Sequence, residues 1–295
     1  MTVLLLGATG TIGPYVVAGL QSRNADIRVL SRDVTRAHSV LGPDVDIREG
    51  DSGDDDTIAA AAKGVDSVFL LSEHSHDMTD LQLRVIRALR RLGPRIVKLS
   101  GTSSAINPDG PYTCRQHWEI EQVLAASGQP WSVIRPNAFM QTLIDGIMLP
   151  AVRASGAIPN AIGNAGISLI DGRDIGEVCA EVLLDSAWHH QTLVLTGPRA
   201  VTFAEIAALV SKESGREVGT TEITPADVRE NLLSRGMARW EAEHFEEMYQ
   251  IFRNGESEFV TGDVERVLGR PPRTVEDYLH EHRDTLLPAA AAGGR

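Results

Sequence analysis

The chain has little that would take it out of water or hold it together covalently. Its 295 residues include only two cysteines, Cys114 and Cys179, far apart and in no metal-type spacing, which fits a reducing compartment and excludes a cysteine-built metal site. No apolar stretch approaches the roughly 20 residues needed to span a bilayer. No block of five or more basic residues offsets a net charge of -12, so nucleic acid and anionic membranes are poor partners. No G-x-S-x-G element is present, and a serine hydrolase has nothing to stand on. The opening MTVLLLGATG has no basic leader and too short an apolar run for a signal peptide. The expectation is a cytoplasmic protein whose partner is a small molecule, with monomer and homodimer both open.

What is present is a rhythm. From residue 3 to residue 135 short β-branched or leucine-rich runs alternate with longer helical patterns, the layout of a parallel sheet with crossover helices. The strand candidates are residues 3–6, 27–30, 45–48, 67–71, 96–99 and 131–134. Between them LQLRVIRALRRL, residues 81–92, sets apolar side chains at helical spacing with arginines on the other face. The expected fold class is α/β, a doubly wound Rossmann parallel sheet with a smaller, mostly helical C-terminal substrate lobe. GAIPNAIGNAGI, residues 156–167, reads as loop. A strand-helix-strand segment at 167–195 rejoins the sheet, with Asp174 as the N-cap of its helix rather than half of a carboxylate pair with Asp171. Thr202 and Glu205 form a capping-box signature, and residues 217–223 suit one strand of the lobe. The sheet domain is thus expected over 1–155 and 166–196, the lobe over 156–165 and 197–287, and a frayed tail over 288–295.

The chemistry starts at GATGTIG, residues 7–13, between a strand and a helix. Gly7 allows the tight turn, Gly10 lets backbone approach a pyrophosphate, and Gly13 permits close packing of helix on strand. Thr9, Thr11 and Ile12 complete the loop, and the helix start offers unpaired N–H groups to phosphate. At the end of the second strand stands Ser31-Arg32, where NAD-selective folds carry an acid and NADP-selective folds an arginine. Arg36 can add a second charge, while Asp33 is a competing acid. NADP is therefore expected in preference to NAD.

GATGTIG, SRD, Gly50-Asp51, SGQPWSVIRPNAFMQ at 127–141, DGRDIGEVCAEVL at 171–183, LTGPRAVTFAEIAALVS at 195–211 and DVERVLGRPPRTVEDY at 263–278 resemble, in order and spacing, the NmrA-like branch of the atypical short-chain dehydrogenase/reductases. Within it the chain is most similar to the triphenylmethane reductase and quinone oxidoreductase type. The resemblance implies that Asp51 and Ser52 contact the adenine end, Leu71 and Ser72 lie under its ribose, Ser100 and Gly101 border the nicotinamide, and Pro136 and Asn137 cover it. It implies an NAD(P)H-dependent reductase of a flat conjugated acceptor such as a quinone. Because founding members bind dinucleotides without turnover, a redox-sensing regulator is the alternative, and a reductive tailoring enzyme of a biosynthetic pathway a third reading.

The resemblance also exposes a gap. Ordinary short-chain reductases use a tyrosine to protonate the carbonyl and a lysine to lower its pKa. Four residues after Tyr112 stands Gln116. In the register set by Ser127-Gly128 the lysine position is His117 and the tyrosine position Thr113. His117 is the candidate catalytic residue, able to donate a proton or a neutral hydrogen bond; a satisfied histidine on a helix face is the other reading. An electrophilic acceptor needs less acid catalysis, since holding it against the hydride donor supplies much of the rate. Phe139 and Met140 are expected to line its pocket, with Trp240 and Met248 from an aromatic-methionine stripe that is otherwise core. His74 and His76 read as polar residues at the cleft edge rather than metal ligands.

Overall fold

The computed structural model describes residues 1–286, so the expected frayed tail, 288–295, lies outside the described residues. In chain order the strands are β1 (Thr2–Leu6), β2 (Asp26–Ser31), β3 (Asp46–Glu49), β4 (Ser67–Leu70), β5 (Arg95–Leu99), β6 (Trp131–Pro136), β7 (Ala157–Asn160), β8 (Gly166–Ile167), β9 (Gln191–Leu195), β10 (Val201–Thr202) and β11 (Gly219–Glu222). The residues fall into two units. The first comprises Met1–Pro136, Gly172–Leu195 and Gly262–Pro271; the second comprises Asn137–Asp171, Thr196–Thr261 and the described residues from Pro272 on.

The first unit is a seven-stranded sheet in the order β3-β2-β1-β4-β5-β6-β9, with every pair parallel. Strands covered by helices on both faces must be apolar on both, which is why TVLLL and SVFL read as continuous runs and are buried almost throughout. On one face the helices Met78–Leu89 and Tyr112–Ala125 send Met78, Val85, Ile86, Leu89, Ile120 and Leu124 into a core with Leu4, Val68, Leu70 and Ile96. β5, sequence RIVKL, is buried at all five positions although two of them are cationic. Arg95 resolves this at one end by donating through Nη1 to the carbonyls of Val182 (2.6 Å) and Asp185 (2.8 Å). Lys98 resolves it at the other.

The helix Gly172–Leu184 starts earlier than expected, and Asp174 is not its cap. Asp174 sits in the first turn, fully buried, and accepts from Arg270 Nη2 at 2.8 Å, which also reaches Glu177 at 2.7 Å. A carboxylate there gains both from the helix dipole and from the half-buried guanidinium.

In the second unit, Met140, Leu143, Ile144, Met148, Leu149 and Val152 share a core with Phe203, Ile206, Tyr249, Phe252 and Tyr278. This packing corrects the expected boundaries: residues 137–155 and 166–171 belong to the second unit and 262–271 to the first. Segment 137–155 contains a π-helical stretch, Gln141–Met148, continued by the helix Leu149–Ser155, and its apolar side chains pack in that second core. Residues 262–271 are tied to the sheet unit because Asp263 Oδ2 accepts from Val194 N at 2.7 Å. The stretch 156–167, expected as loop, contains β7 and β8. Ile158, Ala161 and Ile162 are buried there, and that burial outweighs the local turn chemistry of Gly, Pro and Asn. β7 pairs in parallel with β11, inside the expected 217–223 strand. The capping box forms as written: Thr202 Oγ1 accepts from Glu205 N at 3.1 Å, and Glu205 Oε2 from Thr202 N at 2.8 Å.

Candidate functional site

Because the sheet is parallel, the segments that follow β1 to β6 emerge on one edge. Gly7–Gly13, Ser31-Arg32, Gly50–Ser52, Leu71-Ser72, Ser100-Gly101 and Pro136 all lie at that edge or run on from it. The strand order reverses at β1, with β2 and β3 on one side and β4, β5 and β6 on the other, which is the crevice where ligands of such sheets bind.

The glycine loop is built around close approach. Gly7 has φ +75°, and a Cβ there would lie 2.4 Å from the carbonyl oxygen of Leu71. At Gly13 a Cβ would meet Ala8 O at 1.9 Å. Nothing in the protein crowds Gly10, whose nearest neighbour would be Gly7 O at 3.5 Å; its exposed backbone stays open to a ligand. Thr11 is exposed, Thr9 half-buried and Ile12 buried. The helix Gly13–Gln21 has Ile12 at its N-cap, no side-chain cap and no acid in its first turn. Its leading N–H groups keep their partial positive charge for an anion.

At the end of β2 the two candidates for reading the ribose separate. Asp33 caps the helix Val34–Leu41, its Oδ1 accepting from Arg36 N at 2.8 Å. Arg32 is exposed and lies 3.9 Å from Glu73 Oε1, a weak surface pair. Asp51 is also exposed and holds its own turn, Oδ1 accepting from Gly53 N at 2.8 Å. Ser52 beside it is half-buried.

Gln116, at the apparent lysine position, clamps the loop after β4: its Nε2 donates to the carbonyls of Ser75 (3.1 Å) and His76 (3.0 Å). Tyr112 and His76 share a hydrogen bond of 2.8 Å between hydroxyl and Nδ1. Thr113 is buried. His117 is only 4% exposed, with Cδ2 3.6 Å from where a Cβ on Gly101 would stand. Its Nδ1 lies 2.9 Å from Nζ of Lys98 in β5. Lys98 also donates to Gln82 Oε1 (3.0 Å) and Leu99 O (3.3 Å), and Gln82 Nε2 donates to Ser72 Oγ at 2.9 Å. A chain thus runs from half-buried Ser72 through buried Gln82 and Lys98 to His117. Burial pulls the Lys98 ammonium down to about 7, against the attraction of Glu121 and with some repulsion from Arg135. Beside this chain, Ser100 Oγ donates to Glu121 Oε1 at 2.5 Å, and Glu121 is bridged by Arg135. Lys98 is absent from the sequence reading, although a lysine inside a run otherwise written for burial was the available signal.

Other expected residues go elsewhere. Asn137 is buried, donating through Nδ2 to Ser168 Oγ (2.8 Å) and Ser257 O (3.0 Å) within the second unit. Met140 is fully buried in the second core and presents no pocket surface. Phe139, Trp240 and Met248 are half-buried, whereas their neighbours in the chain Tyr249 and Phe252 are core. Among the described residues no group of three or more His, Cys, Asp or Glu is placed to hold a metal, and no helix is long and apolar enough to cross a membrane.

Comparison with known proteins agrees with this fold. A model of the NmrA-like family matches residues 1–279. The chain is 31% identical to the NAD(P)H azoreductase of Xenophilus azovorans, over 95% of its own length and 97% of that relative. Among solved structures it shares its fold with the NADPH-dependent quinone oxidoreductase of Escherichia coli in complex with NADPH, at TM-score 0.85 and 23% identity, covering 95% of this chain and 99% of that one. The triphenylmethane reductase of Citrobacter sp. complexed with NADP(H) superposes at TM-score 0.82 and 20% identity, with 95% and 99% coverage.

Proposed function

Because the chain belongs to the NmrA-like family, we propose that it is an NAD(P)H-dependent reductase delivering hydride to a flat conjugated acceptor such as a quinone. The observation that carries the reading is the sheet edge where an uncapped helix start and an open glycine backbone stand beside the ends of six parallel strands. The azoreductase relative supports reduction as the chemistry.

When bound, the dinucleotide supplies the hydride. Gly7, Thr9, Gly10, Thr11, Ile12 and Gly13 would hold its pyrophosphate, with N–H groups in place of a cap. Asp51 and Ser52 would contact its adenine end, Leu71 and Ser72 its ribose, and Ser100, Gly101 and Pro136 its nicotinamide side. Arg32 would meet the 2'-phosphate. Asp33 is occupied as a helix cap, which supports NADP over NAD. Phe139, Trp240 and Met248 are proposed contacts of the acceptor, and His117 its hydrogen-bond or proton donor. The partner is a small molecule rather than nucleic acid, given a net charge of -12. The cytoplasm suits a chain whose two free cysteines are both buried, and either a monomer or a homodimer fits the reading.

The test is to mix the purified chain with NADPH and a panel of quinones, azo dyes and triarylmethane dyes, following the absorbance of the reduced cofactor. Acceptor-dependent oxidation supports the reductase. Tight binding of NADPH with no oxidation across the panel overturns it in favour of a regulator that senses the dinucleotide.

A further inference from the structure

We propose that Lys98 is a positioning residue that decides which nitrogen of His117 carries the ring proton, and so whether His117 can act as a donor. The geometry is specific about hydrogens. Nζ of Lys98 has three neighbours at hydrogen-bonding distance: Gln82 Oε1, Leu99 O and His117 Nδ1. Two of these are oxygens that only accept, and Gln82 is further oriented by its bond to Ser72 Oγ.

An ammonium has three hydrogens for these three places. His117 Nδ1 then accepts, and the single proton of the neutral ring sits on Nε2. An amine has two hydrogens, both claimed by the two oxygens, and it turns its lone pair toward His117. The ring proton then moves to Nδ1, and Nε2 becomes an acceptor. The change balances: one proton leaves Lys98 for solvent, the ring keeps one proton and relocates it, and no electron moves.

The surroundings make this change reachable near neutral pH. Lys98 and Gln82 are wholly buried and His117 nearly so. The helix Tyr112–Ala125 brings Glu121, which favours the ammonium, and β6 brings Arg135, which opposes it. The segment after β4 brings His74, whose proton affinity is lowered first by desolvation and then by the charge of Lys98. The helix Met78–Leu89 contributes neutral Gln82. With burial the largest influence, the ammonium is held at about 7.

For the substrate half this inference rests on the reductase reading. An acceptor that has taken up hydride still needs one proton. Nε2 can give it only in the first state, where Nδ1 takes a replacement from the ammonium and the ring never becomes an anion. Lys98 is left as an amine and recovers its proton from solvent before the next turnover. The charge that ordinary short-chain reductases place on the helix would here arrive from the strand beneath it.

Two measurements test the proposal on the full chain. With NADPH and 1,4-naphthoquinone, native turnover should fall as pH rises through about 7, whereas Lys98→Met should be at least tenfold slower at pH 6, lack that limb and keep its KM for NADPH within about twofold. The same limb persisting in Lys98→Met overturns the proposal. Nitrogen NMR of 15N-histidine protein without cofactor, assigned with His117→Gln, reads the ring directly. Native His117 should be protonated at Nε2 below pH 7 and at Nδ1 above it, with no such exchange in Lys98→Met. One tautomer across the whole range overturns the proposal even where the activity data agree. If native protein shows the exchange but leaves NADPH unoxidised with every acceptor in the panel, the couple stands and the reductase reading falls.

Discussion

Gln116 and Lys98 show how a residue's role depends on what its neighbours leave unsatisfied. Gln116 stands where a lysine was looked for and spends its amide on two loop carbonyls; Lys98 lies in a strand where no charge was looked for. Lys98 also makes stability depend on pH. The folded chain loses this proton at about 7, the unfolded chain near the ordinary 10.5. Between those values the unfolded state binds the extra proton, so stability rises with pH across that window. Urea unfolding of Lys98→Met should show that rise removed. At the other end of the site, Arg32→Ala should weaken NADPH binding at least tenfold while leaving NADH within about twofold. Asp33→Ala should keep the NADPH-to-NADH ratio and cost about 1 kcal/mol through its lost cap. Titration of cofactor fluorescence and urea melts separate the two effects. A changed ratio in Asp33→Ala would make that carboxylate the reader after all.

At the scale of elements, the loop from Gly7 to Gly13 was legible because its demands are local: a positive φ at one glycine and backbone contact at another. Gly13→Ala forces a methyl to within 1.9 Å of Ala8 O unless helix and strand separate. It should cost about 3 kcal/mol in urea unfolding and weaken dinucleotide binding together. A fully stable variant would show that this close packing is dispensable. Strands β1 to β6 were legible for a related reason, since burial on both faces writes an unbroken apolar run. The helix Gly172–Leu184 was found with its start misplaced, because an aspartate near a helix start serves equally as a cap or as a partner for Arg270, 96 positions away in the chain. β7 was missed, since a strand of four residues carries too little pattern to outweigh the glycines and proline around it, and β8 ends at Ile167, where the expected strand was to begin.

For the whole molecule, a ligand that binds only the folded chain raises its stability by mass action. NADPH at a hundred times its dissociation constant should add about 2.7 kcal/mol, a rise in melting temperature of about 5 °C. NADH at the same concentration should give a smaller shift, readable by calorimetry. Equal shifts would remove the case for NADP preference. Both cysteines are buried, and burial raises the Cys179 thiol well above its usual value, so the fold should be indifferent to mild thiol oxidants.

Sequence by itself determined the sheet, the glycine loop and the edge on which a dinucleotide would lie, because apolar periodicity and tight turns are set by residues close in the chain. Tertiary structure decided that Asn137 and Met140 are committed to the second unit, and that a lysine from β5 meets a histidine 19 residues later. Such long-range contacts belong to whichever groups folding brings together, and spacing along the chain carries no record of them. PYTCRQHWEIE, residues 111–121, lacks its lysine in the linear text. In the fold, a lysine stands directly against its histidine.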